Sequence, residues 1–211
     1  MHNYPGHSVE EHGAENELPD SVLIRPAQLS DVPALLHVIN DYASQAVMLP
    51  RTELELCEHM RDFLVAVDTS IEGDPLVACG ALQFYTQHIA EVRSLAVVPE
   101  RARSGLGMRI TEELLEEARR HGVDVVFAFT YVPGFFGKLG FKPVDRGALP
   151  LKAWKDCLRC PKVSACDEIA VAYMLTPGAE IYMSAMPPEE AYAEGEILFP
   201  VLGTPRILDK N

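Results

Sequence analysis

The residues with the clearest chemical potential lie in one continuous stretch, residues 91–107, which reads EVRSLAVVPERARSGLG. The pattern predicts a strand, an exit marked by proline, and a basic loop that opens an amphipathic helix. Such a loop leaves the first helical amides unpaired, and the helix dipole adds partial positive charge, so phosphate groups bind well there. Gly105 and Gly107 let a ligand approach the backbone, and Arg101 and Arg103 add charge. A plain strand-to-helix turn has the same glycine spacing, so the loop alone leaves both interpretations open.

The apolar periodicity predicts the elements that must position this loop. Ser30 is expected to cap the first helix, and Thr52 with Glu55 forms a capping box that opens a second helix through about Met60. Strands are predicted at 21–25, 63–67, 76–83, 89–98, 125–130, from 141 onward and at 167–175, and further helices at 106–122 and 133–139. This order predicts a three-layer α+β domain whose mixed, mostly antiparallel sheet is flanked by helices.

Residues 91–107 resemble the acetyl-CoA signature of the GNAT acyltransferase superfamily, a strand followed by Arg/Gln-x-x-Gly-x-Gly/Ala. Residues 133–141, PGFFGKLGF, resemble the short helix and turn that follow the fifth strand in that family. The resemblance implies the GNAT acyl-CoA N-acyltransferase fold and acetyl-CoA as co-substrate. Within the family, the chain is similar over residues 22–175 to short bacterial amino-acid N-acetyltransferases related to N-acetylglutamate synthase. That similarity implies direct acetyl transfer, in a ternary complex, to the α-amine of L-glutamate, the first step of arginine biosynthesis.

The resemblance also implies which residues hold the cofactor. The backbone of the strand before the loop should pair with the pantetheine arm, and a main-chain N–H there should polarise the thioester carbonyl. The loop and the start of its helix should hold the pyrophosphate. The predicted cofactor-binding residues are Leu95, Ala96, Val97, Arg101, Arg103, Ser104, Gly105, Leu106, Gly107, Met108 and Phe136.

Glu91 matches the position of a general-base glutamate in related acetyltransferases, and it could take a proton from the substrate ammonium directly or through water. Because alternate side chains of a strand share a face, Glu91, Arg93 and Leu95 are expected to point together. A glutamate on a partly exposed strand without a catalytic role is the structural alternative.

Two positions depart from the family pattern. The Arg or Gln that opens the phosphate loop falls at Ala102, and the frequent Tyr that protonates the leaving thiolate falls at Phe136. Tyr131 and a bound water are the candidates for that acid.

Arg51 and Arg93 are the candidates to hold a substrate carboxylate, since a guanidinium can make a bidentate contact with one. In the resembling synthases, an arginine in the segment between the first two helices contacts the amino-acid substrate, which corresponds to Arg51. An arginine that is only solvated is the alternative for each.

The cysteines fall into two groups. Cys57 and Cys79 lie in apolar patterns and are predicted core residues. Cys157, Cys160 and Cys166 lie within ten residues, a spacing that suggests structural zinc, a redox pair, or packing without a ligand. No fourth zinc ligand is evident from the sequence.

Charge and composition bound the partners. The chain has 211 residues, with 18 Lys and Arg against 31 Asp and Glu, for a net charge of -13. Acidity of this degree argues against sequence-independent nucleic-acid binding. No apolar run approaches the ~20 residues that a membrane span needs, and no signal-peptide pattern is present, so a cytoplasmic protein without a membrane span is expected. The predicted organisation is an acidic flexible leader at 1–20, the acetyltransferase domain at 21–176 and a tail at 177–211.

Three hypotheses for function follow. The first is the amino-acid N-acetyltransferase described above. The second keeps the fold and co-substrate but changes the acceptor to another small amine or a protein N-terminus. The third is a non-catalytic acyl-CoA-sensing module. The sequence leaves the oligomeric state open, with a homodimer as one alternative.

Overall fold

A computed structural model describes residues 21–149, 157, 160 and 162–183. Seven strands form one mixed sheet in the order β1-β2-β3-β4-β5-β7-β6, in which only the β4–β5 pair is parallel. The strands are β1 Val22–Pro26, β2 Phe63–Asp68, β3 Leu76–Phe84, β4 Ile89–Val97, β5 Val125–Thr130, β6 Lys142–Pro143 and β7 Ile169–Met174. The helices are α1 Val32–Ser44, α2 Glu53–Glu58, α3 Leu106–Arg120 and α4 Pro133–Lys138. The predicted fold class is confirmed, and β3 pairs with β4 in antiparallel orientation.

Helices cover both faces of the sheet, which gives the predicted three layers. On one face, Ile110 and Leu114 of α3 are fully buried in a cluster with Leu82 of β3. On the other face, Ile39 of α1 packs in a cluster with Val65 of β2. Burial of these apolar side chains is the main force that holds the layers together. The predicted leader and the tail beyond residue 183 lie outside the described residues.

The two predicted helix caps have different outcomes. Thr52 accepts a hydrogen bond from the Glu55 amide at 3.2 Å, and the Glu55 carboxylate accepts one from the Thr52 amide at 2.9 Å, so the capping box is confirmed. The prediction for Ser30 is wrong, because α1 begins after Asp31. The Asp31 carboxylate pairs with Arg25 at 2.7 Å, and this hydrogen bond lowers the pKa of Asp31.

A β-bulge in β4 reverses the direction of the side chains that follow it. Ala81 pairs with Arg93 and Cys79 pairs with Ala96, so two residues of β4 lie opposite the single residue Gly80. Ser94, one of the two, has a positive φ of 51°. The other, Leu95, packs toward α3. The prediction that Leu95 shares a face with Glu91 and Arg93 is therefore wrong, because the bulge inserts an extra residue into the alternation.

The two parallel strands separate after a short stretch of pairing. Only Ile89–Glu91 of β4 pair with residues 125–127 of β5, although β4 continues to Val97 and β5 to Thr130. Beyond that point the sheet opens between the two strands. The peptide groups of β4 from residue 92 onward that point toward β5 therefore face an opening instead of a neighbouring strand.

The absence of a side chain at Gly80 allows α3 to approach the sheet. A Cβ at this position would lie 2.7 Å from Ile110 Cγ2 and 3.2 Å from both Leu114 and Leu95. We expect Gly80→Ala to lower the free energy of unfolding by about 1–3 kcal/mol through overpacking, as measured by urea denaturation. Gly137→Ala is the matched control, since nothing lies within 4 Å of its added Cβ and alanine favours a helix. Equal stability of the two variants would contradict this packing.

Candidate active site

A cavity of about 1450 Å³ occupies the opening between β4 and β5. Its walls are the segment between α1 and α2, the second half of β4, the basic loop with the start of α3, the end of β5, α4, and part of the segment before β7. Every residue predicted to bind cofactor or substrate, or to act in catalysis, lines this one cavity, as do the three clustered cysteines.

The basic loop turns into α3 through two left-handed residues. Arg103 has φ +64° and Gly105, which immediately precedes the helix, has φ +84°. Within α3, the amide of Arg109 is bonded to the carbonyl of Gly105 at 3.1 Å, and the amides of residues 106–108 precede that bond. These amides belong to the end of the helix that attracts anions. A Cβ on Gly107 would lie 3.4 Å from the Phe135 ring, so the loop packs closely against α4. The geometry suits a phosphate group.

Arg101 anchors the loop to the sheet. Its guanidinium forms an ion pair with Asp68 of β2, whose carboxylate has no exposure to solvent. Asp68 also accepts hydrogen bonds from the Ser70 hydroxyl at 2.6 Å and the Ser70 amide at 3.0 Å. These Ser70 contacts, aided by Arg101, lower the pKa of Asp68. Arg103 is exposed at the cavity rim, so the loop contains one arginine held by the protein and one open to solvent.

Glu91 is a buried carboxylate in the cavity wall, with 2% of its surface exposed. Its Oε2 accepts a hydrogen bond from the Tyr85 hydroxyl at 2.8 Å. Glu91 is therefore not an exposed strand residue, and its catalytic role stays a prediction. A buried carboxylate is costly unless it is hydrogen-bonded, which explains the Tyr85 contact. Tyr85 follows β3 in a turn and belongs to no motif, so no pattern in the sequence indicates this contact.

Arg51 enters the same cavity from the segment between α1 and α2. Asn40 of α1 fixes its backbone, since Asn40 Oδ1 accepts from the Arg51 amide at 2.9 Å and Asn40 Nδ2 donates to the Arg51 carbonyl at 3.0 Å. The Arg51 Nε is buried and has no hydrogen-bond partner within the part of the chain that the structure describes. A buried donor without an acceptor is costly, so its position favours a ligand that supplies an oxygen. Arg93 lines the cavity from β4.

The backbone of β4 is supported from the side of α1. The Tyr42 hydroxyl donates a hydrogen bond of 2.7 Å to the Val97 carbonyl, and Tyr42 also lines the cavity. Leu95, Ala96 and Val97 thus form a fixed edge on the opening toward β5. No local sequence pattern indicates this contact, because the two residues lie 55 positions apart.

Tyr131, at the end of β5, belongs to a cluster of three polar side chains. Its hydroxyl donates to Asp167 Oδ1 at 2.9 Å and accepts from Lys162 Nζ at 3.0 Å. The Lys162 hydrogen bond lowers the pKa of Tyr131, but burial and the carboxylates of Asp167 and Glu168 outweigh it and raise the pKa above its usual value. Tyr131 is therefore a protonated phenol at neutral pH. No pattern in the sequence indicates that Lys162 and Asp167 contact Tyr131, because they lie 31 and 36 residues from it.

Phe136 lies in an aromatic cluster, with ring centroids 5.1 Å from those of both Phe135 and Phe141. It is 5% exposed and borders the cavity. Phe136 has no hydroxyl to donate. Of the two tyrosines among the described residues that line the cavity, Tyr42 donates to the Val97 carbonyl, so Tyr131 remains the candidate acid.

The predictions for the clustered cysteines, for Cys57 and for Cys79 have different outcomes. No group of three His, Cys, Asp or Glu side chains that could hold a metal ion occurs in the described ranges, which include all three clustered cysteines. Each of two thiols instead has a local partner: Cys160 Sγ accepts from the Lys162 amide at 3.4 Å, and Cys166 Sγ lies 3.9 Å from Glu168 Oε2. Cys57 is exposed, because α2 buries Leu56 instead. Cys79 is buried as predicted, and burial raises the pKa of its thiol to about 12.

A mixed sheet that opens between two parallel strands, beside a glycine-led helix N-terminus, defines the class of acyl-CoA N-acyltransferases. Comparison with known proteins agrees: the model of the acetyltransferase (GNAT) family matches residues 33–141. The chain belongs to the GNAT family of acetyltransferases.

Two relatives and one solved structure show which acetyltransferases this chain is similar to. An N-acetyltransferase of Chlorobaculum tepidum, which has no characterised function, is 39% identical over 152 residues, covering 72% of this chain and 96% of that protein. An amino-acid acetyltransferase of Mycobacterium tuberculosis is 28% identical over 152 residues, covering 72% and 86% of the two chains. A crystal structure of a Mycobacterium tuberculosis protein in complex with CoA and NLQ has a TM-score of 0.63 at 25% identity, covering 73% of this chain and 99% of that one. Within the described ranges of this protein, no helix is long and apolar enough to cross a bilayer.

Proposed function

We propose that the protein is an amino-acid N-acetyltransferase that transfers acetyl from acetyl-CoA directly to the α-amine of L-glutamate within a ternary complex. The observation that carries this proposal is the buried, unpartnered Nε of Arg51 in the cavity that also contains Glu91. A cationic donor and a basic carboxylate in one cavity suit an acceptor that has both a carboxylate and an amine. The name of the Mycobacterium tuberculosis relative, an amino-acid acetyltransferase, supports the same acceptor class. This activity would belong to arginine biosynthesis in the cytoplasm.

The co-substrate would extend from the basic loop into the cavity. The amides of Leu106, Gly107 and Met108, with Ser104, Gly105 and the charge of Arg103, would hold the pyrophosphate at the positive end of α3. From there the pantetheine arm would run along residues 95–97, whose outward peptide groups no longer pair with β5. Phe136 and its aromatic neighbours would provide apolar contact for the arm.

Acetyl transfer then requires a neutral amine. Glu91, held by Tyr85, would accept the ammonium proton directly or through a water molecule. The amine nitrogen attacks the thioester carbonyl carbon, whose oxygen a β4 amide would polarise. When the C–S bond breaks, the electron pair stays on sulfur, the attacking nitrogen releases its second proton to solvent to give the neutral amide, and Tyr131 would supply the proton that makes the CoA thiol.

The acceptor would be oriented by its carboxylate. Arg51 Nε and one of its terminal nitrogens can grip both carboxylate oxygens in a bidentate contact, and Arg93 would add a second cation from β4. Orientation of this kind holds the amine near the thioester and accounts for much of the rate enhancement in bimolecular reactions.

The direct test is a thiol-release assay with acetyl-CoA and a panel of acceptors: L-glutamate, L-glutamine, other α-amino acids, small amines without a carboxylate, and a peptide with a free N-terminus. The proposal predicts turnover with α-amino acids and the largest kcat/KM with L-glutamate. A preference for a carboxylate-free amine or for the peptide would overturn L-glutamate as the acceptor and identify a different acceptor class. Binding of acetyl-CoA without turnover on any acceptor would favour a sensing module.

The phosphate loop can be tested by placing a carboxylate in it. We expect Gly105→Glu to weaken CoA binding by at least about tenfold, equivalent to about 1.4 kcal/mol, since the new charge lies at the proposed pyrophosphate site. Gly122→Glu is the matched control because Gly122 also has a left-handed φ, +73°, at the opposite end of α3. Isothermal titration calorimetry measures both. Equal CoA affinities in the two folded variants would remove the loop from the cofactor site.

Loss of the Arg51 guanidinium should weaken binding of the acceptor and leave binding of acetyl-CoA nearly unchanged. We expect Arg51→Ala to raise the KM for L-glutamate about tenfold or more, the effect of losing a charge-assisted hydrogen bond of ~1.5–3 kcal/mol. The KM for acetyl-CoA should change little. Arg51→Lys should recover only part of the affinity because an ammonium cannot form the bidentate fork. Arg120→Ala, at the exposed end of α3, is the control. Steady-state kinetics that show equal increases for both substrates would assign Arg51 a structural role.

Replacement of the Glu91 carboxylate by an amide tests its proposed role as the general base. We expect Glu91→Gln to lower kcat by on the order of 10²–10⁴, with CoA affinity nearly unchanged. The defect should decrease as pH rises, because the free amine then forms without the enzyme. Glu72→Gln, in the exposed turn before β3, is the control for loss of a carboxylate. If Glu91→Gln keeps wild-type turnover at pH 7, the amine loses its proton elsewhere.

A further inference from the structure

Lys162 joins two walls of the cavity that are far apart in sequence. Its Nζ donates to the Tyr131 hydroxyl at 3.0 Å, at the end of β5, and to the Ala46 carbonyl at 3.1 Å, in the segment after α1. The same nitrogen lies 3.8 Å from Asp167 Oδ1 and 5.0 Å from the centroid of the Tyr131 ring. Four contacts thus fix the ammonium group at one place in the cavity wall.

The charges around Tyr131 are complementary. The hydrogen bond to Tyr131 is the largest of the effects that raise the pKa of Lys162, so the side chain is an ammonium at neutral pH. The hydrogen bond from Tyr131 is the largest effect that lowers the pKa of Asp167, which is therefore a carboxylate. The phenol lies between a cation that donates to its oxygen and an anion that accepts its proton.

This arrangement suits a proton donor whose own proton must be replaced. A phenol that gives its proton to a thiolate becomes a phenolate, and an ammonium 3.0 Å away stabilises that charge and can return a proton. Among the described residues, the other titratable groups that act on this pair are Asp167 and Glu168, and Glu168 also lines the cavity. Both are acidic, and both keep Lys162 charged.

We infer that Lys162 is a positioning residue for departure of the CoA thiolate: it holds the Tyr131 hydroxyl in the cavity and restores the proton that Tyr131 donates. In this step the C–S bond breaks, sulfur takes the Tyr131 proton, Tyr131 oxygen takes a proton from Lys162 Nζ, and solvent reprotonates Lys162. The inference rests on the proposed acetyltransferase function and adds to it a residue that works through Tyr131.

Four variants test the inference by kinetics: Lys162→Met, Lys162→Arg, Tyr131→Phe, and the double variant Lys162→Met/Tyr131→Phe. We expect Lys162→Met to lower kcat at least about tenfold, toward the 10²–10⁴ range of acid–base catalysis, while both KM values stay within about threefold. Lys162→Arg keeps the positive charge and the hydrogen bond but cannot give up a proton at neutral pH, so it should recover only part of the rate. Since Lys162 acts through Tyr131, the double variant should be no slower than Tyr131→Phe. Lys142→Met, exposed on β6, is the control.

A spectroscopic titration tests the same inference without turnover. The phenolate absorbance of Tyr131 is the difference between each protein and its Tyr131→Phe counterpart. Because the Lys162 hydrogen bond lowers the pKa of Tyr131, Lys162→Met should move that titration to higher pH. The high-pH limb of kcat, where the acid loses its proton, should move in the same direction.

The outcomes separate this inference from the proposed function. An increase only in the KM of the acceptor would make Lys162 a substrate contact and overturn the inference while keeping the function. Additive losses in the double variant, or an unchanged Tyr131 titration, would also overturn it. If the wild-type protein acetylates no acceptor in the panel, the proposed function fails, and the catalytic role inferred for Lys162 fails with it.

Discussion

The short parallel pairing of β4 and β5 is the constraint on which the site depends. Three residue pairs join the strands, and each strand then continues without the other. In a continuous sheet the peptide groups of residues 92–97 on that side would bond to a neighbouring strand, and no cavity would exist. The bulge at Ser94 and Leu95 accompanies the separation and turns Leu95 toward α3. The sheet thus contributes apolar side chains to the core and, along the second half of β4, an edge with which a ligand can form backbone hydrogen bonds.

Around this opening, several polar side chains are fixed by partners on other parts of the fold. Asp68 of β2 holds Arg101 of the loop, Asn40 of α1 holds the backbone of Arg51, and Tyr85 holds Glu91. Buried charged and polar groups need such partners, because an unpaired one costs free energy on folding. Arg51 Nε is the exception in the described chain, and this unmet requirement is what points to a ligand. An acidic protein can therefore present local cations to an anionic co-substrate and acceptor.

Local signals predicted most of the fold, and long-range contacts account for the failures. The capping box at Thr52 needs only residues three apart, and it was predicted correctly. Ser30 was favoured as a cap by its type, but Asp31 has an ion pair with Arg25 that only the folded chain reveals. Alternation placed Leu95 on the wrong face because a bulge depends on pairing with β3. Lys162 carried no motif, since its partners Tyr131 and Ala46 lie 31 and 116 residues away.

The position of the proposed acid follows from the same reasoning about partners. A hydroxyl on the ring at position 136 would enter from α4, whereas Phe136 packs its ring among Phe135 and Phe141 and donates nothing. Tyr131 enters from the end of β5, on the side of the opening that faces the segment before β7. That segment contributes Lys162 and Asp167, which both form hydrogen bonds with the Tyr131 hydroxyl. We propose that these contacts assist the phenol when it loses and regains its proton. The segment between β6 and β7 therefore takes part in the proposed proton transfer through Lys162 and Asp167.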